Sequence, residues 1–129
     1  MSHTHSYYTT LRFQEDNETE IVTTTESSIT APRERNLEVA FIGSASDAEH
    51  DIGIPTAIFS LYMLSDQDLT VETNDGDSPD HTFTLTANEP FYWHSNMDVV
   101  SPLGGNQIDS VFLTNSGSEA GTFKLIALV

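Results

Sequence analysis

Three carboxylates stand close together in Asp75-Gly76-Asp77-Ser78-Pro79-Asp80. Hard cations such as calcium take clustered oxygen ligands on a tight loop, which makes Asp75, Asp77 and Asp80 the first metal candidates. The stretch lacks the ligand spacing and closing bidentate Glu of an EF-hand loop. Asp, Gly, Ser and Pro are also the ordinary residues of turns, and a turn is the better account of it. A second group, Asp47, Glu49, His50 and Asp51, has no partner cluster at a defined spacing and reads as solvated loop charge. His3 and His5 near the N-terminus could hold copper or nickel loosely, and no functional use is expected of them.

The only tryptophan lies in Phe91-Tyr92-Trp93-His94. Aromatic rings on a β-sandwich can carry the apolar face of a sugar, so Trp93 and Tyr92 are candidates for sugar stacking. Strand alternation offers the other account: Phe91 and Trp93 inward, Tyr92 and His94 at the surface or at a subunit contact. For covalent or acid–base chemistry the chain offers little. No serine sits in a Gly-x-Ser-x-Gly elbow, no glycine loop cradles a phosphate, and there is no cysteine to act as nucleophile, disulfide or thiolate ligand. The expectation is a protein that is not an enzyme and takes no cofactor.

Charge bounds the partners. Twenty Asp and Glu face four Lys and Arg across 129 residues, a net charge of −16, and Lys124 is the only lysine. Nucleic-acid binding needs clustered cations to displace counterions, and anionic lipid needs the same, so neither partner is expected. Such a surface keeps a protein soluble; it also resembles that of salt-accumulating archaea and their viruses, where molar salt screens self-repulsion. No stretch is long and apolar enough to span a membrane, and the N-terminus lacks the regions of a signal peptide, so a soluble, unexported protein is expected.

The elements that must position these residues read as strands. Period-two alternation with β-branched and aromatic enrichment marks 7–13, 20–25, 37–43, 68–73, 81–87, 91–94, 107–114 and 121–129. The last two, joined by Asn115-Ser116-Gly117-Ser118-Glu119-Ala120, read as a buried β-hairpin around which the chain is organised. Residues 54–64 read as one long extended apolar run, and 27–36 and 44–53 as loops. The fold class expected is all-β: one domain over 1–129, a single β-sandwich of jelly-roll type with about eight strands. Residues 1–6 are polar and read as loose, making 1–13 a flexible N-terminal arm.

The second half resembles small β-sandwich proteins on the heads of tailed viruses, phage or haloarchaeal. The matching residues are Thr82-Phe83-Thr84-Leu85-Thr86-Ala87-Asn88-Glu89-Pro90-Phe91-Tyr92-Trp93-His94, then Asp109-Ser110-Val111-Phe112-Leu113-Thr114-Asn115-Ser116-Gly117 and the closing strand 121–129. The resemblance implies a capsid decoration (cement) protein on the outer surface of the virion, commonly trimeric, bound to the major capsid protein. Tyr7, Tyr8, Leu11 and Phe13 would then form a capsid-binding arm that orders by strand addition. A tail or neck component of such a virion, or a carbohydrate-binding module built on Trp93, are the alternatives.

Residues 54–64 carry apolar side chains in both alternating registers. If Phe59, Leu61 and Met63 fill the core, Ile58, Tyr62 and Leu64 are left on the other face, an apolar patch unusual for a monomer. They are the candidate interface of a homo-oligomer, with a trimer preferred on the resemblance alone.

Overall fold

A computed structural model describes residues 2–17 and 19–129; Met1 and Glu18, which fall in the segments read as a loose start and an acidic turn, lie outside the described residues. Ten strands run in chain order: β1 (His3–Phe13), β2 (Ile21–Ala31), β3 (Glu34–Phe41), β4 (Ala48–Ile54), β5 (Ser60–Ser65), β6 (Leu69–Thr73), β7 (Thr82–Leu85), β8 (Phe91–His94), β9 (Ile108–Thr114) and β10 (Gly121–Leu128). No helix occurs among the described residues.

Strands β3 to β10 form a β-sandwich. One sheet has the order β3-β10-β5-β8 and the other β4-β9-β6-β7, every neighbouring pair antiparallel. Counted from either end of this stretch, strands pair first with last: β3 with β10, β4 with β9, β5 with β8 and β6 with β7. That is a long double ribbon rolled into two sheets, the jelly-roll topology. Alternation fills the space between the sheets: Leu61, Met63, Phe123, Leu125 and Ala127 face Val71, Leu85, Val111 and Leu113, all buried.

β1 and β2 form a separate two-stranded ribbon, paired in register from His3↔Ala31 to Phe13↔Ile21. The N-terminal segment is thus a hydrogen-bonded strand rather than a loose arm. The segment read as a loop at 27–36 is the end of β2 and the start of β3, broken only at Pro32 and Arg33. Proline has no N–H to give a ladder, which suits that junction.

Three further expectations change. The terminal strands β9 and β10 are not a hairpin, since they belong to opposite sheets. Residues 115–120 instead bridge the roughly 10 Å between sheets and are tied to the end of β3. Ser44 N–H donates to the Gly117 carbonyl at 2.7 Å and Asn115 N–H to the Ala45 carbonyl at 2.9 Å. Both strands are nonetheless interior to their sheets, as their apolar composition demands.

Residues 44–53 are not a loop throughout. β4 is an edge strand that turns Glu49 and Asp51 to solvent, with Ala48 and Ile52 packed on the core. Charge on an exposed edge deters pairing with stray strands. The long extended run at 54–64 is cut in two: Ile54 closes β4, Pro55 leads a loop, and β5 starts only at Ser60. Ile58 therefore packs against the main core and Phe59 is exposed, the reverse of the alternation read from the sequence.

Candidate functional site

The β1–β2 ribbon alternates between two faces. The upper face carries cross-strand polar rungs: Thr4 with Thr30 (2.9 Å), Ser6 with Ser28 (3.1 Å), Tyr8 hydroxyl to Glu26 (3.1 Å) and Thr10 with Thr24 (3.1 Å). Arg12 pairs with Glu20 near the tip at 3.4 Å. Such pairs are the unit of stability in a two-stranded sheet that has no third strand. The lower face runs His5, Tyr7, Thr9, Leu11 and Phe13 along β1 against Ile29, Ser27, Thr25, Thr23 and Ile21 along β2.

The base of that lower face lies on the outside of the β3-β10-β5-β8 sheet. Ile29 and Ala31 close a small apolar cluster with Leu128 and Tyr7. His5 spans Glu34 of β3 and Ser60 of β5, one ring nitrogen 3.0 Å from each. Tyr7 stacks on His94 and Tyr92 of β8, with ring centroids 4.6 and 5.8 Å apart. The ribbon thus crosses the sheet from β3 to its far edge at β8. Burial raises the Tyr7 phenol above its ordinary value, and the nearby Ser60 hydroxyl partly offsets this without completing a hydrogen bond. His94 Nδ1 is likewise buried and unpartnered among the described residues.

Beyond Tyr7 and Ser27 burial stops alternating and the ribbon is exposed on both faces. The overhang from Tyr8 to Phe13 spans roughly 20 Å at about 3.3 Å per residue. Its lower face continues the docked stripe with nothing against it: Leu11 is 68% exposed, Phe13 55% and Ile21 61%. In a chain of net charge −16, that lower face carries no carboxylate from His5 to Phe13 or from Ile21 to Ile29. Beside the ribbon's base runs a groove of about 440 Å³ walled by residues 4–7 of β1 and floored by Tyr62, Ile126 and Lys124 of the sheet.

The sequence-derived candidates fall apart as a set. Tyr7 anchors the ribbon, whereas Tyr8, Leu11 and Phe13 lie on the overhang. Tyr62 and Leu64 share the outer face of the sheet, half-buried beside Ile126 and Lys124. Ile58 does not join them, being packed on the core. Trp93 faces inward opposite Leu61, 7% exposed, and its indole N–H donates to the Val99 carbonyl at 2.9 Å. It cannot present a ring to a sugar. Of that pair only Tyr92 reaches solvent, and it is already stacked on Tyr7.

The carboxylates serve the backbone. Asp75 accepts from the N–H groups of Asp77 (2.7 Å) and Ser78 (3.1 Å), which holds its pKa below the usual value. Asp80 accepts from the Asn74 amide at 2.6 Å. Asp47 exchanges hydrogen bonds with Thr114, and Glu49 and Asp51 point to solvent. No group of three or more His, Asp or Glu among the described residues is placed to hold a metal ion.

Sequence reasoning missed β2's share of the ribbon and the groove beneath it. The alternation of Thr and Ser with Ile29 and Ala31 was the available signal. No family model, no curated protein and no solved structure matches this chain.

Proposed function

We propose that the chain is a non-enzymatic structural protein of a virion, a decoration protein that binds the major capsid protein on the outer surface of a tailed-virus head. The observation that carries this reading is the ribbon: a projection whose lower face is uncharged and partly apolar, on an otherwise strongly acidic jelly roll. A surface of that kind serves protein–protein contact, because apolar area is what association buries and like charge is what it must avoid. The acidic exterior suits the outside of a shell, away from packaged phosphate. The jelly roll is compatible with the role and does not by itself assign it.

Co-sedimentation with purified heads lacking the protein tests the reading. Saturable binding at a fixed ratio to the major capsid protein, together with greater resistance of the heads to heat, is the expected result. Failure to bind at micromolar concentration in either low or molar salt would reject it.

A further inference from the structure

We infer that two copies of this chain pair through the free edge of β1, each ribbon's overhang lying in the groove beside the other's ribbon. β1 has β2 on one side only. The groove on its other side is walled by four consecutive residues, 4–7, whose side chains alternate between the two faces, so what meets the groove is the strand's own edge of N–H and C=O groups. Natural proteins blunt such edges with charge, proline or bulges. From His3 to Leu11 β1 has no proline, lysine, arginine or carboxylate, and its pairing with β2 is unbroken. An edge this regular above a floor of Tyr62 and Ile126 is a strand-addition site.

The occupant that fits is the overhang of a second copy. Antiparallel pairing of β1 with β1 about a twofold axis, with Tyr8 opposite its counterpart, sets residues 9–13 of one copy against 7–3 of the other. Both lower faces then point the same way. Leu11 and Phe13, exposed in the single chain, come down over the Tyr62–Ile126 floor of the neighbour, and the two ribbons become one four-stranded sheet, β2-β1-β1-β2. The apolar stripe that docks each ribbon on its own sandwich simply continues onto the next one. Charge agrees, because the paired faces are uncharged. The antiparallel direction also carries the incoming acidic turn toward the β3 and β10 side, where Lys124 makes no ion pair with any described residue. Such an isologous contact closes at two copies, in place of the trimer that the virus-head resemblance implies.

The inference does not rest on the virion reading, although the dimer takes up the overhang's apolar lower face and leaves a capsid partner the upper face of the joined ribbons; it is tested on the purified chain alone. Light scattering at micromolar concentration in about 1 M KCl, where repulsion is screened within about 3 Å, should give twice the 14.2 kDa chain mass. Leu11→Asp with Phe13→Asp, at positions exposed in the single chain, should halve that mass and leave the β circular dichroism unchanged. The chain has no cysteine, so Tyr8→Cys should oxidise to a covalent dimer, since directly opposed antiparallel residues meet the Cα spacing a disulfide needs. Thr24→Cys, on the far strand of the ribbon, should not. A monomer in molar salt overturns the inference and leaves the groove to a strand from another protein. A trimer overturns it too, as does a dimer in which Tyr8→Cys fails to cross-link.

Discussion

The Tyr7 ring of β1 lies on the His94 ring of β8, centroids 4.6 Å apart and planes 29° from parallel. This contact, with His5 between Glu34 and Ser60, fastens the ribbon to the sandwich. Tyr7→Ala should therefore release the ribbon more than it destabilises the sandwich. Loss of a half-buried ring costs about 1–2 kcal/mol, below the 3–5 of a fully buried Phe. Hydrogen exchange should show β1 and β2 amides losing protection while β9 and β10 keep theirs; equal loss in both would show the ribbon and sandwich to be one cooperative unit.

Tyr7 also sets an alkaline limit. Burial holds its pKa above the ordinary 10.0, so as pH climbs the unfolded chain gives up this proton first. The stability linked to Tyr7 is present in full below pH 10 and is lost as pH rises through the higher native value. Tyr7→Phe keeps the ring and removes the titration. Its hydroxyl makes no hydrogen bond among the described residues, so the variant should be at least as stable as the parent at neutral pH and its advantage in melting temperature should grow above pH 10. Parallel profiles for the two proteins across that range would contradict this.

Salt should stabilise the fold. Twenty carboxylates share four Lys and Arg side chains, and the only ion pair of a Lys or Arg among the described residues is Arg12–Glu20. Most of the acidic charge is therefore unpaired repulsion, which a change from about 0.1 M to 1 M salt screens from about 10 to 3 Å. The melting temperature is expected to rise steadily through a KCl titration; a flat or falling curve would mean that the surface is not under electrostatic strain.

Asn115 ties the crossing between the sheets with three side-chain hydrogen bonds. It is 2% exposed; its amide donates to the carbonyls of Ile42 (3.1 Å) and Glu119 (2.7 Å), and its Oδ1 accepts from Gly117 N–H (3.0 Å). Asn115→Ala would remove three hydrogen bonds where the chain crosses between sheets; Ile42, Gly117 and Glu119 are exposed, so water can take up their backbone groups and the loss is about 0.5–1.5 kcal/mol for each bond. Chemical denaturation should show a loss of at least about 1.5 kcal/mol, greater than that of Asn106→Ala on the exposed loop before β9.

Much of the fold is legible in the chain itself. Alternation alone assigns β6, β9 and β10, puts Val71 inward, and separates Leu113 from Phe112 and Leu125 from Ile126, because a strand's period of two fixes the face of each side chain whatever lies beside it; which apolar face of β9 and β10 is the core is not set by it. The acidity of the surface, the all-β class and the rolled sandwich follow from composition and from the number of short strands. At the candidate site, Tyr7, Leu11 and Phe13 stand out as apolar residues in a threonine-rich strand.

Which strand lies beside which is decided elsewhere. β9 and β10 carry the marks of a hairpin, yet the crossing is made by Asn115 and Ser44, whose hydrogen bonds reach to segments distant in sequence. β4 hides among Asp47, Glu49 and Asp51 because an edge strand needs only one apolar face. Ile58 changes place because Pro55 ends one strand before β5 begins. The ribbon is the largest case. Its alternation is continuous from His5 to Phe13, but the sheet beneath it ends at β8, so Tyr7 is covered and Leu11 is not. Local sequence sets the direction of a side chain; the extent of the surface that meets it is a property of residues far along the chain.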